Sequence, residues 1–173
     1  MRMRAPAIAL SLALAPALGG CGLHPLYAGG GDGPVATALG QIEVGEIAGK
    51  NGWLVRTALV DRLSRSRQQA ARYRLVVELD DQIQGLGVRT DNSITRERRS
   101  LRARYKLYDT ATGTVLLDAT AGSDAGIDVV TSEYAVIAAE QTALENLSGE
   151  VADQIITRLA LYVQNSGGAP RAR

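Results

Sequence analysis

Apolar residues repeat along this chain at two spacings, and the switch between them sets out a fold. Val55, Leu59 and Leu63, backed by Leu54 and Ala58, recur at helical spacing and predict a helix from near Trp53 to about Arg67, capped by Asn51. Tyr73, Leu75, Val77 and Leu79 then alternate with polar residues, a half-buried strand running to Ile83 and extendable to Val88. After the turn-like "RTDNS", a second alternating run holds Leu101, Ala103, Tyr105 and Leu107. "DTATG" turns the chain again, and Val115, Leu117, Ala119 and Ala121 make a third run. Gln41 to Ile47 reads as a short strand ahead of the first helix.

Helical spacing returns from Ser132 to about Gln164, with Ile137, Leu144, Leu147, Val151, Ile155, Leu159 and Tyr162 on one stripe. Thr131 or Ser132 caps its start, and Ser148-Gly149 is a candidate bend. At 1.5 Å per residue this helix is about 50 Å long, longer than an ordinary strand, so one end is expected to overhang. The order β-α-β-β-β-α predicts an α+β two-layer sandwich: a mainly antiparallel sheet with one wet face and two helices on the other, over residues 41–164. Residues 165–173, "NSGGAPRAR", read as a disordered tail.

The start of the chain follows neither pattern. Arg2 and Arg4 precede fourteen uncharged residues, Ala5 to Leu18, mostly Ala and Leu. A spanning helix needs about 20 apolar residues, whereas this run is broken by Pro16 and ends at Gly19-Gly20-Cys21. A basic start, an apolar middle and small residues at a cut make a signal peptide over residues 1–20. Leu18-Gly19-Gly20-Cys21 resembles the bacterial lipobox, which implies that Cys21 is lipidated on its thiol and, after cleavage, on its freed amine. One acyl chain binds a membrane marginally, and each further buried methylene adds about 0.8 kcal/mol, so several chains anchor firmly. Gly22 in place of Asp after the cysteine points, by the same resemblance, to the outer membrane. Six glycines and two prolines between Gly22 and Gly40 then read as a flexible tether.

Composition narrows the chemistry. Without Arg2 and Arg4 the processed chain of 153 residues has 17 Lys+Arg against 18 Asp+Glu, a net charge of −1 with no global pull toward nucleic acid. Cys21 is the only cysteine; its acylation leaves neither a disulfide nor a thiol nucleophile. The only histidine, His24, lies in the tether, and no set of ligands for a metal or cofactor converges. Asp80-Asp81 are neighbours on a strand and so point to opposite faces, unable to share a proton. No phosphate-cradling loop, GxSxG or HExxH is present, so no enzyme activity is expected.

The basic run "ITRERRSLRARYK" is the chemically informative stretch. On a strand, Arg96, Arg98, Arg102, Arg104 and Lys106 share one face, opposite Leu101, Ala103, Tyr105 and Leu107. A turn centred on Asp91 sets Glu78 across from Arg104 and Asp80 across from Arg102; a second turn centred on Ala111 sets Asp118 across from Arg104. Arg96, Arg98 and Lys106 then lack an acidic partner. Two readings stand: a solvated, internally paired sheet face, or arginine forks for phosphate.

The "CGLHPLY" start, the β-α-β-β-β-α order and the final "TSEYAVIAAEQTALENLSGEVADQIITRLALY" helix together resemble the lipopolysaccharide-assembly outer-membrane lipoprotein family, LptE, in its alphaproteobacterial form. The resemblance implies a non-enzymatic partner of the LptD β-barrel, a plug in its lumen whose domain lies on the periplasmic side or within the lumen, that helps lipopolysaccharide (LPS) reach the outer leaflet. LPS carries phosphates on its glucosamine head, which makes Arg96, Arg98 and Lys106 the candidate LPS contacts. Competing readings are an auxiliary lipoprotein of an ABC-type lipid-trafficking system and a periplasmic hydrolase, the latter lacking a nucleophile–base set.

Overall fold

The computed structural model describes residues 33–64, 70–88, 94–167 and 170. The signal peptide, Cys21, His24, the tether as far as Asp32, the "RTDNS" turn and all of the tail beyond Gly167 except Pro170, which is buried, lie outside the described residues. In chain order the elements are α1 (Pro34–Gly40), β1 (Ile42–Val44), α2 (Gly49–Ser64), β2 (Tyr73–Val88), β3 (Ile94–Asp109), β4 (Val115–Asp128) and α3 (Glu133–Asn165). The sheet order is β1-β2-β3-β4, with β1 parallel to β2 and the other neighbours antiparallel. This is the expected α+β sandwich with one helix more than the sequence suggested.

That extra helix corrects the tether boundary. Pro34 pre-sets the backbone at the first turn, and Val35, Ala38 and Leu39 join the core cluster. The Gly and Pro content of this stretch concealed a short apolar helix that is buried at Val35, Ala36, Ala38, Leu39 and Gly40.

Alternation in the strands sends Tyr73, Leu75, Val77, Leu101, Ala103, Tyr105 and Leu107 to one face, where all are buried. Val55, Leu59 and Leu63 of α2 and Leu144, Leu147, Val151, Ile155 and Leu159 of α3 close over them. Each such side chain contributes about 1.5–3 kcal/mol through removal from water. The two long helices run in the same direction, tied by Lys50 to Gln141 (2.7 Å) at one end and by Arg62 to Asp153 and to the carbonyl oxygen of Gly149 at the other.

Several expected boundaries move. Helix α2 opens at Gly49, whose φ of 83° suits glycine, and Asn51 lies inside it, accepting the Gly52 N–H. Gly52 backs against the preceding segment so closely that a Cβ would lie 2.5 Å from the Ile47 carbonyl oxygen. Ser132 does sit at the N-cap of α3, but its side chain makes no capping bond. The Ser148 hydroxyl donates to the Leu144 carbonyl (2.7 Å), and the helix is continuous through Ser148-Gly149. The stripe begins later than expected, because Tyr134 and Ile137 are 84% and 57% exposed. The overhang is therefore the N-terminal end of α3.

Candidate functional site: the open sheet face and the distal hairpin

The helices cover one sheet face, and the other carries the basic run. The first hairpin has the expected register, with Glu78 across from Arg104 and Asp80 across from Arg102. The second is shifted by two residues: Arg104 lies across from Thr120 and Lys106 across from Asp118. The cause is a longer turn. The Asp109 carboxylate accepts the Ala111 and Thr112 N–H groups, Gly113 closes the turn at φ 70°, and a register shift follows at Leu107/Tyr108.

The charges pair differently from the register alone. Arg102 turns away from Asp80 and grips Asp124 with two bonds (2.9 and 2.8 Å), adding the Ser123 carbonyl. Arg104 turns from Glu78 to Asp118 (3.2 and 2.9 Å). Glycine makes the first swing possible, since a Cβ on Gly122 would lie 2.5 Å from Arg102 Cδ. The Ser100 hydroxyl and the Arg102 guanidinium hold the Asp124 carboxyl below its ordinary range, and Arg104 does the same to Asp118.

Two of the three residues expected to lack a partner have one. Arg96 Nε lies 3.1 Å from Asp128, and Lys106 Nζ lies 3.9 Å from Asp118. Arg96 and Asp128 are largely exposed and hold each other weakly, and Lys106 and Asp118, about a third exposed, meet only at the limit of ion-pair distance. Arg98 alone of the three makes no ion pair among the described residues. It sits between Gln84 and Gly126, and nothing lies within 4 Å of where a Gly126 Cβ would project. Arg96 and Arg98 thus occupy the distal end of the open face with room around them, whereas Lys106 lies near the opposite end.

The covered face also changes character distally. Arg99 and Asp81, only 12% and 13% exposed, form a bidentate pair (2.9 and 2.6 Å), and Arg99 also donates to the Glu140 carbonyl of α3. The hydrogen bonds that Arg99 donates to Asp81 outweigh burial and raise the Arg99 pKa. Glu97 lies beyond it with Oε2 enclosed and without a hydrogen-bond partner among the described residues. Neither residue stood out in the basic run; their odd-numbered positions, on the apolar side of the alternation, were the available signal.

No helix among the described residues is long and apolar enough to cross a membrane. No curated protein sequence matches the chain significantly. Solved structures do. A protein described as a lipoprotein from Caulobacter crescentus CB15 is 25% identical, with TM-score 0.65 over 76% of this chain and 98% of that one. A minor lipoprotein from Acinetobacter baumannii (16% identity, TM-score 0.58, 76% and 95% covered) and rare lipoprotein B from Shewanella oneidensis (12%, 0.57, 73% and 96%) share the fold. The sequence model for the lipopolysaccharide-assembly family LptE matches residues 39–159, which include β1 to β4, α2 and most of α3. On that match the chain belongs to the LptE family of lipopolysaccharide-assembly proteins.

Proposed function

We propose that this protein is a non-enzymatic lipoprotein of the outer membrane, anchored through acylated Cys21, that partners the LptD barrel as a plug and contacts LPS with Arg96 and Arg98. Family membership supports the assembly role. The observation that carries the ligand reading is the distal open face, where Arg98 has no ion pair among the described residues and Arg96 has only an exposed one. Guanidinium forks match phosphate oxygens in pairs, and an exposed carboxylate partner such as Asp128 gives way cheaply. Lys106, beside Asp118 and away from the tip, is a secondary contact.

The test is purification of the tagged full chain from outer membranes, followed by palmitate labelling and analysis of what co-elutes. The reading expects a labelled protein that brings down a large barrel together with LPS. Cys21→Ser is expected to abolish labelling and membrane retention. Recovery of inner-membrane transport components in place of the barrel would favour the ABC-type alternative and overturn the proposal.

A further inference from the structure

The two edges of the sheet are finished differently. On β4, the Gln154 side-chain amide donates to the Gly122 carbonyl and accepts its N–H (both 3.1 Å), occupying the backbone groups that a neighbouring strand would use. On β2, the short strand β1 pairs only with Tyr73 to Leu75, and the last backbone bond across that edge is Gly45 N–H to the Leu75 carbonyl (2.9 Å). Alternation carries the same outward orientation to Val77, Leu79, Asp81 and Ile83. Among the described residues, their outward N–H and C=O groups have no partner. Gln82 to Gly85 are exposed. Val77 itself is buried and Leu79 and Asp81 are half-buried, so the edge opens toward Gln82. An edge with unpaired backbone groups is a template for another strand.

Charge narrows what fits. Arg102 and Arg104 turn to β4, so Glu78 and Asp80, on the open face along this edge, have no cationic partner within ion-pair distance among the described residues. Gln82 donates to both oxygens of Asp80 but brings no charge. A second copy of this strand would set the same acids near one another, which disfavours self-pairing.

We propose that the β2 edge from Val77 to Ile83 docks an extended, basic segment of a partner protein by strand addition. Its backbone pairs with the outward groups of Val77, Leu79, Asp81 and Ile83. Its Lys or Arg residues fall beside Glu78 and Asp80, and the alternate residues, on the covered side near Leu79, are apolar. Main-chain bonds supply affinity and the acids supply selectivity. This inference does not depend on the LPS reading.

The test uses the full chain in detergent and a blocked twelve-residue peptide in which Lys alternates with Val and Thr, against the same peptide with Glu for Lys. The Lys peptide is expected to bind and to slow amide exchange at Val77, Leu79, Asp81 and Ile83, leaving the Gly122 amide unchanged. Glu78→Gln with Asp80→Asn should weaken binding about tenfold at low salt. Ile83→Pro deletes an outward N–H without touching the β3 ladder and should remove protection above Asp81. The proposal is overturned if the Lys peptide does not bind, if protection falls elsewhere, or if the Glu peptide protects equally. Concentration-dependent protection of the same amides without peptide would make a second copy the occupant and equally overturn it.

Discussion

The two halves of the sheet share strands but differ in what they bury. Proximally, from Tyr73 to Leu79 and from Leu101 to Leu107, the covered face is mostly apolar and closed by α2 and α3. Distally, the same face holds the Arg99–Asp81 pair, an oxygen of Glu97 with no hydrogen-bond partner among the described residues, and Ile83 at 43% exposure beneath an overhanging helix end. The open face grades in parallel, from arginines locked onto Asp118 and Asp124 to Arg98 with no ion pair among the described residues. Burial and satisfied pairing make the proximal half a scaffold. The distal half spends stability on charges held apart from full compensation, as binding regions do.

Proximal substitutions should therefore cost the most. Leu159 is fully buried, and Leu159→Ala should lose about 2–5 kcal/mol in a denaturant melt. A loss under half a kcal/mol would mean that α3 does not seal the core. Next comes the buried distal pair. Arg99→Met alone strands Asp81 and should cost about 3 kcal/mol, while the double variant Arg99→Met with Asp81→Leu recovers most of it. Equal losses for single and double variants would show that the pair is not what holds this region.

Glu97 gives a change of opposite sign. Replacing a carboxylate with an oxygen that is enclosed and has no hydrogen bond among the described residues by an apolar side chain of similar length removes a desolvation cost, so Glu97→Met should raise the thermal midpoint slightly. A lowered midpoint would show that Glu97 is satisfied in solution.

The smallest effect concerns acid. Asp118, Asp124 and Asp153 have lowered pKa values, held chiefly by hydrogen bonds from Arg104, from Ser100 with Arg102, and from Arg62. In the unfolded chain these carboxyls take up protons near the ordinary 3.8, while in the folded state they do so only at lower pH. Their contribution is thus complete above about pH 4 and fades as acid carries the pH down through the folded values. Arg104→Gln should flatten the acid limb of a stability–pH curve slightly; an unchanged limb would mean that this exposed pair contributes nothing.

Much of the scaffold is legible in the sequence because it depends on local periodicity. The stripe Val55, Leu59, Leu63 and the alternation from Tyr73 each name their buried side without knowledge of a partner, and the Asp91-centred register follows from that parity. What the sequence conceals is set by geometry between elements. The Arg102 swing needs Gly122 beneath it, the second register depends on the Asp109 turn, and the Arg99–Asp81 bond needs α3 as a lid. Helix α1 is missed for a related reason: seven residues, about two turns between glycines, are too few to show a period until α3 lies against them.

The distal open face is proposed to bind anionic lipid without being needed for the fold. The most direct measurement is LPS binding by the purified full chain, wild type against Arg96→Glu with Arg98→Glu, at low and high salt, with the thermal midpoint read alongside. Exposed charges rarely shift stability by more than about 0.5 kcal/mol, so the midpoint should hold. Binding should fall, most visibly at low salt, where screening is weakest. Undiminished LPS binding at low ionic strength would contradict the account and leave both arginines as solvated surface residues.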